Sequence, residues 1–298
     1  MTDEARIGVG VREKPFRFGP GEGLFGILSG AGPSKLAVIL LNAGLVHRAG
    51  PFRLHVSLAR ALAGDGYPVF RIDQSALGDS EARGGGSYEE RAVADAAAAM
   101  DFLADKIGAE QFVLIGLCAG AMNAHRAACD PRVVGAVLLD GYAYRTQAFY
   151  AQRIASRAVD PAAWRGALRR LRREVTTRLL PAGSSRTRMT TQVKDAVPGQ
   201  DAAEIFAADW PPREQVAREL LEHCRAQKQL LFIYTGGWSD YVHQGQFGEM
   251  FPEVATSPNV SVQFFEDADH TYFLKDHRER MLAAVRSWAA LRFPLANR

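Results

Sequence analysis

The chain has 298 residues, 47% of them hydrophobic, and a formal net charge of +3. That size suits one large domain or one domain carrying an insertion, and so small a charge gives no electrostatic reason to expect a nucleic-acid partner. Three cysteines, Cys118, Cys129 and Cys224, are too few and too odd in number for a disulfide framework, so a reducing compartment, the cytoplasm, is expected. The first six residues include acids and no apolar run, which predicts no signal peptide, and no apolar stretch is long enough to predict a membrane span.

Short apolar runs bounded by Gly, Pro, Asp or Asn predict strands at Leu24–Leu28, Leu36–Leu41, Pro68–Ile72, Phe112–Ile115, Val133–Leu139, Leu230–Tyr234 and Val260–Phe265. Between them, helices are predicted over Phe52–Ala63, Glu89–Lys106, Ala119–Ala128 and Arg278–Leu291. Leu54, Leu58 and Leu62 recur every fourth residue and give the first helix a buried stripe. Strand and helix in alternation predict an α/β fold with a mostly parallel central sheet and helices on both faces. The alternation stops after Leu139 and resumes at Leu230. The expected organisation is therefore a first core part over 1–141, a helical lid insertion over 142–226, and a second core part over 227–298.

Gln111–Ile115 runs directly into Gly116-Leu117-Cys118-Ala119-Gly120, and an alanine-rich helix follows. A strand–turn–helix around Gly-x-Cys-x-Gly is the setting of a nucleophile elbow. The turn is tight enough that side chains two residues either side of the nucleophile would clash, and glycine removes them. The nucleophile then stands at a helix N-terminus, where free N–H groups and the dipole favour negative charge.

With these features the chain resembles the α/β-hydrolase superfamily over nearly its whole length. Leu41-Asn42-Ala43-Gly44, Ser57-Leu58-Ala59-Arg60-Ala61-Leu62, Arg71-Ile72-Asp73, Leu77-Gly78-Asp79-Ser80 and Gly116-Leu117-Cys118 resemble segments of bacterial hydrolases associated with exosortase systems and natural-product clusters. The resemblance implies the order nucleophile, acid, base along the chain. Asp240, after Leu230–Tyr234, matches the family's acid position; His270, after Val260–Phe265, matches the base. His270 would take the Cys118 proton and return it to the leaving group, while Asp240 would fix the imidazole tautomer. Asp267 and Asp269 lie close by, with spacing that suits the loop carrying His270. The oxyanion hole is expected from the N–H of Ala119 and from Ala43 or Gly44, in a loop where many relatives carry His-Gly; Asn42 either orients that loop or turns it. His47 follows the same loop, whereas His55 and His125 read as packing residues. Asp73, Gly78 and Asp79 read as structural, with Asp73 satisfying loop N–H groups.

No dinucleotide, Walker or zinc-spaced pattern occurs, so neither cofactor nor metal is expected. Ten arginines fall between Arg153 and Arg188 against Asp160 and Glu174. They read either as a solvated helix face or as a dock for an anionic group such as coenzyme A or an acyl carrier protein. Cysteine in place of serine would make the acyl-enzyme a thioester, which passes its acyl group to amines, alcohols or thiols as well as to water. Dienelactone hydrolases and polyhydroxyalkanoate synthases share a cysteine elbow but differ in length. The expected activity is Cys-His-Asp cleavage of an ester, thioester or lactone. Acyl transfer or cyclisation by the same residues, and ligand binding without catalysis, stand as alternatives.

Overall fold

The computed structural model describes residues 11–30, 32–152 and 210–295. The chain divides into two compact units, 1–146 with 213–298, and 147–212. The first unit holds an eight-stranded sheet. Its strands are β1 (Glu13–Phe18), β2 (Leu24–Ser29), β3 (Leu36–Leu40), β4 (Val69–Asp73), β5 (Gln111–Leu117), β6 (Val133–Leu139), β7 (Gln229–Thr235) and β8 (Val260–Phe265). Their spatial order is β1-β2-β4-β3-β5-β6-β7-β8, with β2 antiparallel to both of its neighbours, β1 and β4, and every other neighbouring pair parallel.

The seven strands expected from sequence are present. The eighth, β1, carries no such signal, because Glu-Lys-Pro-Phe-Arg-Phe lacks a continuous apolar run. Charges and proline suit an edge strand, whose outer N–H groups need no partner, and β1 lies at the edge. Inner strands bury both faces: all five residues of β3 and of β4 are buried.

The longer helices are α1 (Leu54–Gly64), α2 (Tyr88–Ile107), α3 (Ala119–Ala127), α4 (Arg213–Arg225) and, near the end of the chain, α7 (Lys275–Arg292); two short ones, α5 (Gln246–Met250) and α6 (Pro252–Ala255), precede β8. Leu54, Leu58 and Leu62 of α1 are fully buried against β3, β4 and α7 residues such as Val38, Val69 and Met281. Each such leucine stabilises the fold by roughly 1.5–3 kcal/mol. Helix α4, which falls within the stretch read as an insertion, belongs to the first unit. The remaining stretch from 153 to 209, with the arginine-rich segment, lies outside the described residues.

From β3 the chain moves one way to β4, then returns across β3 to β5. The carboxyl ends of β3 and β5 therefore flank the point where connection direction reverses, the usual binding crevice of an open α/β sheet.

Candidate active site

Cys118 is the first residue beyond β5 and the N-cap of α3. Its backbone sits at φ 56°, ψ −121°, a conformation that costs a non-glycine residue about 1–3 kcal/mol. Neighbouring strands hold it there: the Cys118 N–H donates to Leu139 O at 2.9 Å. The flanking glycines are sterically required. A Cβ on Gly116 would lie 2.0 Å from Gly120 O, and one on Gly120 would lie 2.4 Å from Asn42 O. The second contact also presses the first turn of α3 against the end of β3.

His270 follows β8. Its Nδ1 lies 2.8 Å from Oδ2 of Asp140, the first residue beyond β6. Because Nδ1 is spent on that bond, Nε2 is the nitrogen left to meet the Cys118 side chain. Asp140 is fully buried, with φ 44°. Its Oδ1 accepts from the Thr235 N–H and its Oδ2 from the Thr235 hydroxyl, both at 2.7 Å. Three donors leave neither oxygen of this buried carboxylate without a partner. Burial pushes Asp140 above the usual carboxylate range, and the bonds from His270 and Thr235 partly offset it. Burial alone would lower His270. The hydrogen bonds to Asp140 and Cys118, with their negative charge, outweigh it and raise the imidazole to about 9. Trp238 lies face to face with the imidazole, ring centroids 4.5 Å apart at 21°, an arrangement that favours the cationic form.

The loop after β3 is fixed by side chains. Asn42 Nδ2 donates to Val46 O at 3.0 Å, and Asn42 Oδ1 accepts from the Gln74 N–H at 2.7 Å. Buried Asp73 accepts from the Arg48 N–H at 2.6 Å and the Asp79 N–H at 3.0 Å, and pairs with the Arg48 guanidinium. A Cβ on Gly78 would lie 2.1 Å from Asp73 Oδ2, which explains glycine there. Gly44 turns the loop at φ 55°. Among the described residues, the N–H groups of Ala43, Gly44 and Ala119 meet no protein acceptor. Open donors on two adjoining segments beside a thiol are what stabilisation of an oxyanion requires. His47 serves its own turn, its Nδ1 accepting from the Ala49 N–H at 3.2 Å.

A family profile described as "Alpha/beta hydrolase family" matches residues 38–284, most of the chain. The chain belongs to this family. Solved structures of similar fold include the Pyrococcus furiosus esterase Pf2001, at TM-score 0.59 and 17% identity, covering 98% of this chain and 94% of the other. Est1E from Butyrivibrio proteoclasticus, with ferulic acid bound, aligns at TM-score 0.57 and 14% identity over 96% and 97% of the two chains. Proline iminopeptidase of Mycobacterium smegmatis aligns at 0.54 and 18% over 94% and 98%. A search of curated proteins found no match.

Within this alpha/beta hydrolase, Cys118 and His270 come together as expected, but Asp240 does not join them. Its Oδ1 accepts from Arg145 Nε at 2.8 Å, and its carbonyl accepts from Gln246 at 2.6 Å. The carboxylate on His270 is Asp140, one strand earlier. The loop after β7 reaches the histidine with glycines instead of an acid. A Cβ on Gly236 would lie 1.9 Å from Glu266 O, and one on Gly237 would lie 2.6 Å from His270 N. With the two loops that close, Asp240 falls beyond them. The sequence does carry a signal for Asp140: a carboxylate placed directly after an all-apolar strand, at the catalytic end of a parallel sheet. Asp269 shapes the histidine loop, accepting from the Thr271 and Phe273 N–H groups at 2.9 and 2.8 Å, and Asp267 pairs with Arg280. Among the described residues no group of His, Cys, Asp and Glu could hold a metal ion, and no helix is long and apolar enough to cross a membrane.

Proposed function

We propose that the chain is an acyl-transferring hydrolase in which Cys118 is the nucleophile, His270 the proton shuttle and Asp140 the acid that orients it. The observation that carries this reading is the hydrogen-bonded line from Thr235 through the buried Asp140 carboxylate to His270, whose imidazole the Cys118 side chain also helps to raise. Its substrate class is an ester, thioester or lactone.

In this reading the Cys118 proton passes to His270 Nε2, and Sγ attacks the acyl carbonyl carbon. The Ala119 N–H, with that of Ala43 or Gly44, takes the oxyanion. When the tetrahedral species collapses, the bond from carbon to the leaving oxygen or sulfur breaks, and that atom takes the Nε2 proton. A thioester on Cys118 remains. Water then attacks it, gives its proton to His270, and Sγ departs with the pair of electrons. An amine or alcohol in place of water would yield acyl transfer by the same steps.

Incubation with a panel of activated esters and thioesters tests the reading. It expects a mass increment of the acyl group on Cys118, absent from Cys118→Ala, and turnover that depends on His270. Turnover that survives Cys118→Ala would contradict it. Added amine or alcohol acceptors separate the two outcomes of the intermediate: free acid alone means hydrolysis, and an amide or new ester means transfer. Coenzyme A or a carrier protein as the acyl donor is a further proposal. Arginine-to-glutamate changes between 153 and 188 would then raise KM for a carrier-linked thioester and spare a small ester, and an equal effect on both would contradict it.

A further inference from the structure

A buried polar chain joins the loop after β3 to α2 and α3 and ends in two unspent hydrogen-bonding groups. It starts at Gln74, whose N–H is held by Asn42 in the loop after β3. Gln74 Nε2 faces Ala92 O at 3.5 Å, and Gln74 Oε1 faces Asn123 Nδ2 at 3.4 Å. Asn123 Nδ2 also donates to the Tyr88 hydroxyl oxygen at 3.1 Å. The carbonyl of Ala92 sets the direction of this chain. Turning both amides round would set Gln74 Oε1 against Ala92 O, oxygen against oxygen. With the amides so oriented, Tyr88 is an acceptor towards Asn123 and keeps its own O–H proton to donate. Asn123 is fully buried, and its Oδ1 meets no partner among the described residues. An oxygen left open in this way is unfavourable until a donor meets it.

Two observations place this pair near Cys118, and a third fixes its position. Asn123 lies four residues after Ala119 on α3, so the two share one face of the helix that begins at the nucleophile. Burial first, and then the negative charge of Glu89, keep the Tyr88 phenol above its ordinary range, hence protonated and able to donate, and Cys118 is near enough that a thiolate there would act in the same direction. The position of Tyr88 is also rigid. It is the first residue of α2, fixed by a capping box in which the Ser87 N–H donates to Glu90 Oε2 at 2.7 Å and the Glu90 N–H to Ser87 Oγ at 3.2 Å. Helix α2 is tied down further where Asp95 accepts from the Ser75 N–H at 2.7 Å.

One open donor beside one open acceptor matches a group that both accepts and donates, which is a hydroxyl. We propose that Tyr88 and Asn123 form a subsite for a hydroxyl carried on the acyl group near its carbonyl, so that the preferred substrates are hydroxyacyl esters or thioesters. The proposal rests on Cys118 as the nucleophile. A plain acyl chain in that subsite would leave both protein groups unpaired, and sites of this kind reject the analogue that lacks the hydroxyl.

The test is a ratio, so general damage to the enzyme cancels. kcat/KM is measured for a 2- or 3-hydroxyacyl p-nitrophenyl ester and for the plain acyl ester of equal length. The parent is expected to favour one of the hydroxyacyl esters at least about tenfold, and Tyr88→Phe to bring the ratio close to one. Asn123→Leu is expected to do the same, with no further loss in the double variant, since both residues hold one group. A parent that shows no preference, or a Tyr88→Phe enzyme that keeps it, would overturn the subsite. Failure of the underlying reading looks different: Cys118→Ala would then still turn over both esters.

Discussion

Two histidines meet the two ends of α3, and they are driven in opposite directions. At the N-terminal end, His270 is raised to about 9. In the last turn, His125 is lowered to about 3, by burial first and then by the positive charges of His223 and Arg126. A helix C-terminus favours a cation by about 0.3–1 kcal/mol. A fall from 6.5 to about 3 corresponds to roughly 4–5 kcal/mol, so burial wins at His125. The neighbours explain the contrast. His270 has the fully buried Asp140 carboxylate at 2.8 Å. His125 has the Tyr142 hydroxyl at 3.4 Å, the edge of His223, and the partly exposed Glu219 only at 3.7 Å. Burial neutralises a histidine unless an equally buried anion touches it, and among the described residues only the N-terminal end of α3 has such an anion.

The comparison breaks most visibly at the reactive end. Cys118→Ala and His270→Ala are each expected to lower kcat/KM by at least about a thousandfold, in steady-state assays on an activated ester. Asp140→Asn keeps the shape of the acid and removes its charge, and a loss of about a hundred- to ten-thousandfold is expected. Asp240→Asn should stay within about threefold of the parent, because that carboxylate serves Arg145. An inverted pair of results would return the acid to Asp240.

The pH dependence follows from the raised His270. The reactive form holds a protonated imidazole, so activity should decline as pH rises through about 9. Asp140→Asn should move that decline to lower pH. The same group contributes stability that is full below its unfolded value near 6.5 and is lost as pH rises through about 9. Trp238→Leu removes the stacked face and should cost severalfold in kcat, with the alkaline limb moved a few tenths of a unit lower.

At the other end the sign reverses. His125 and His55, held neutral at about 3 and about 4, bind fewer protons folded than unfolded. Their contribution to stability is complete above about 6.5 and falls as the pH drops towards those values. His125→Phe should therefore flatten the acid side of a plot of Tm against pH while leaving activity at neutral pH nearly unchanged. An acid limb as steep as the parent's would show that His125 titrates normally.

How much of this was legible in the sequence follows the same physics. Strands buried on both faces, such as β5 and β6, announce themselves as apolar runs, whereas β1, exposed at the edge, does not. The elbow was legible because only glycine fits at 116 and 120, and His270 because it stands in the short loop after β8. The acid was not, because two carboxylates end two neighbouring strands' connections. Which of them reaches the histidine depends on how closely Gly236 and Gly237 let two loops approach. That is a tertiary distance, and no local pattern encodes it. The donor directions that leave Tyr88 and Asn123 open are likewise set by Ala92 O, distant in sequence from Asn123 and visible only in the folded chain.

The central claim is that Asp140 charges the His270–Cys118 pair. The most direct test is the rate of iodoacetamide labelling at each cysteine, followed by mass spectrometry at neutral pH in the parent, Asp140→Asn and Asp240→Asn. Cys129 is exposed and Cys224 buried, and burial raises both thiols, so they serve as internal references. Cys118 should label fastest in the parent, slow markedly in Asp140→Asn, and hold its rate in Asp240→Asn. Labelling of Cys118 no faster than Cys129, or slowed by Asp240→Asn alone, would contradict the account.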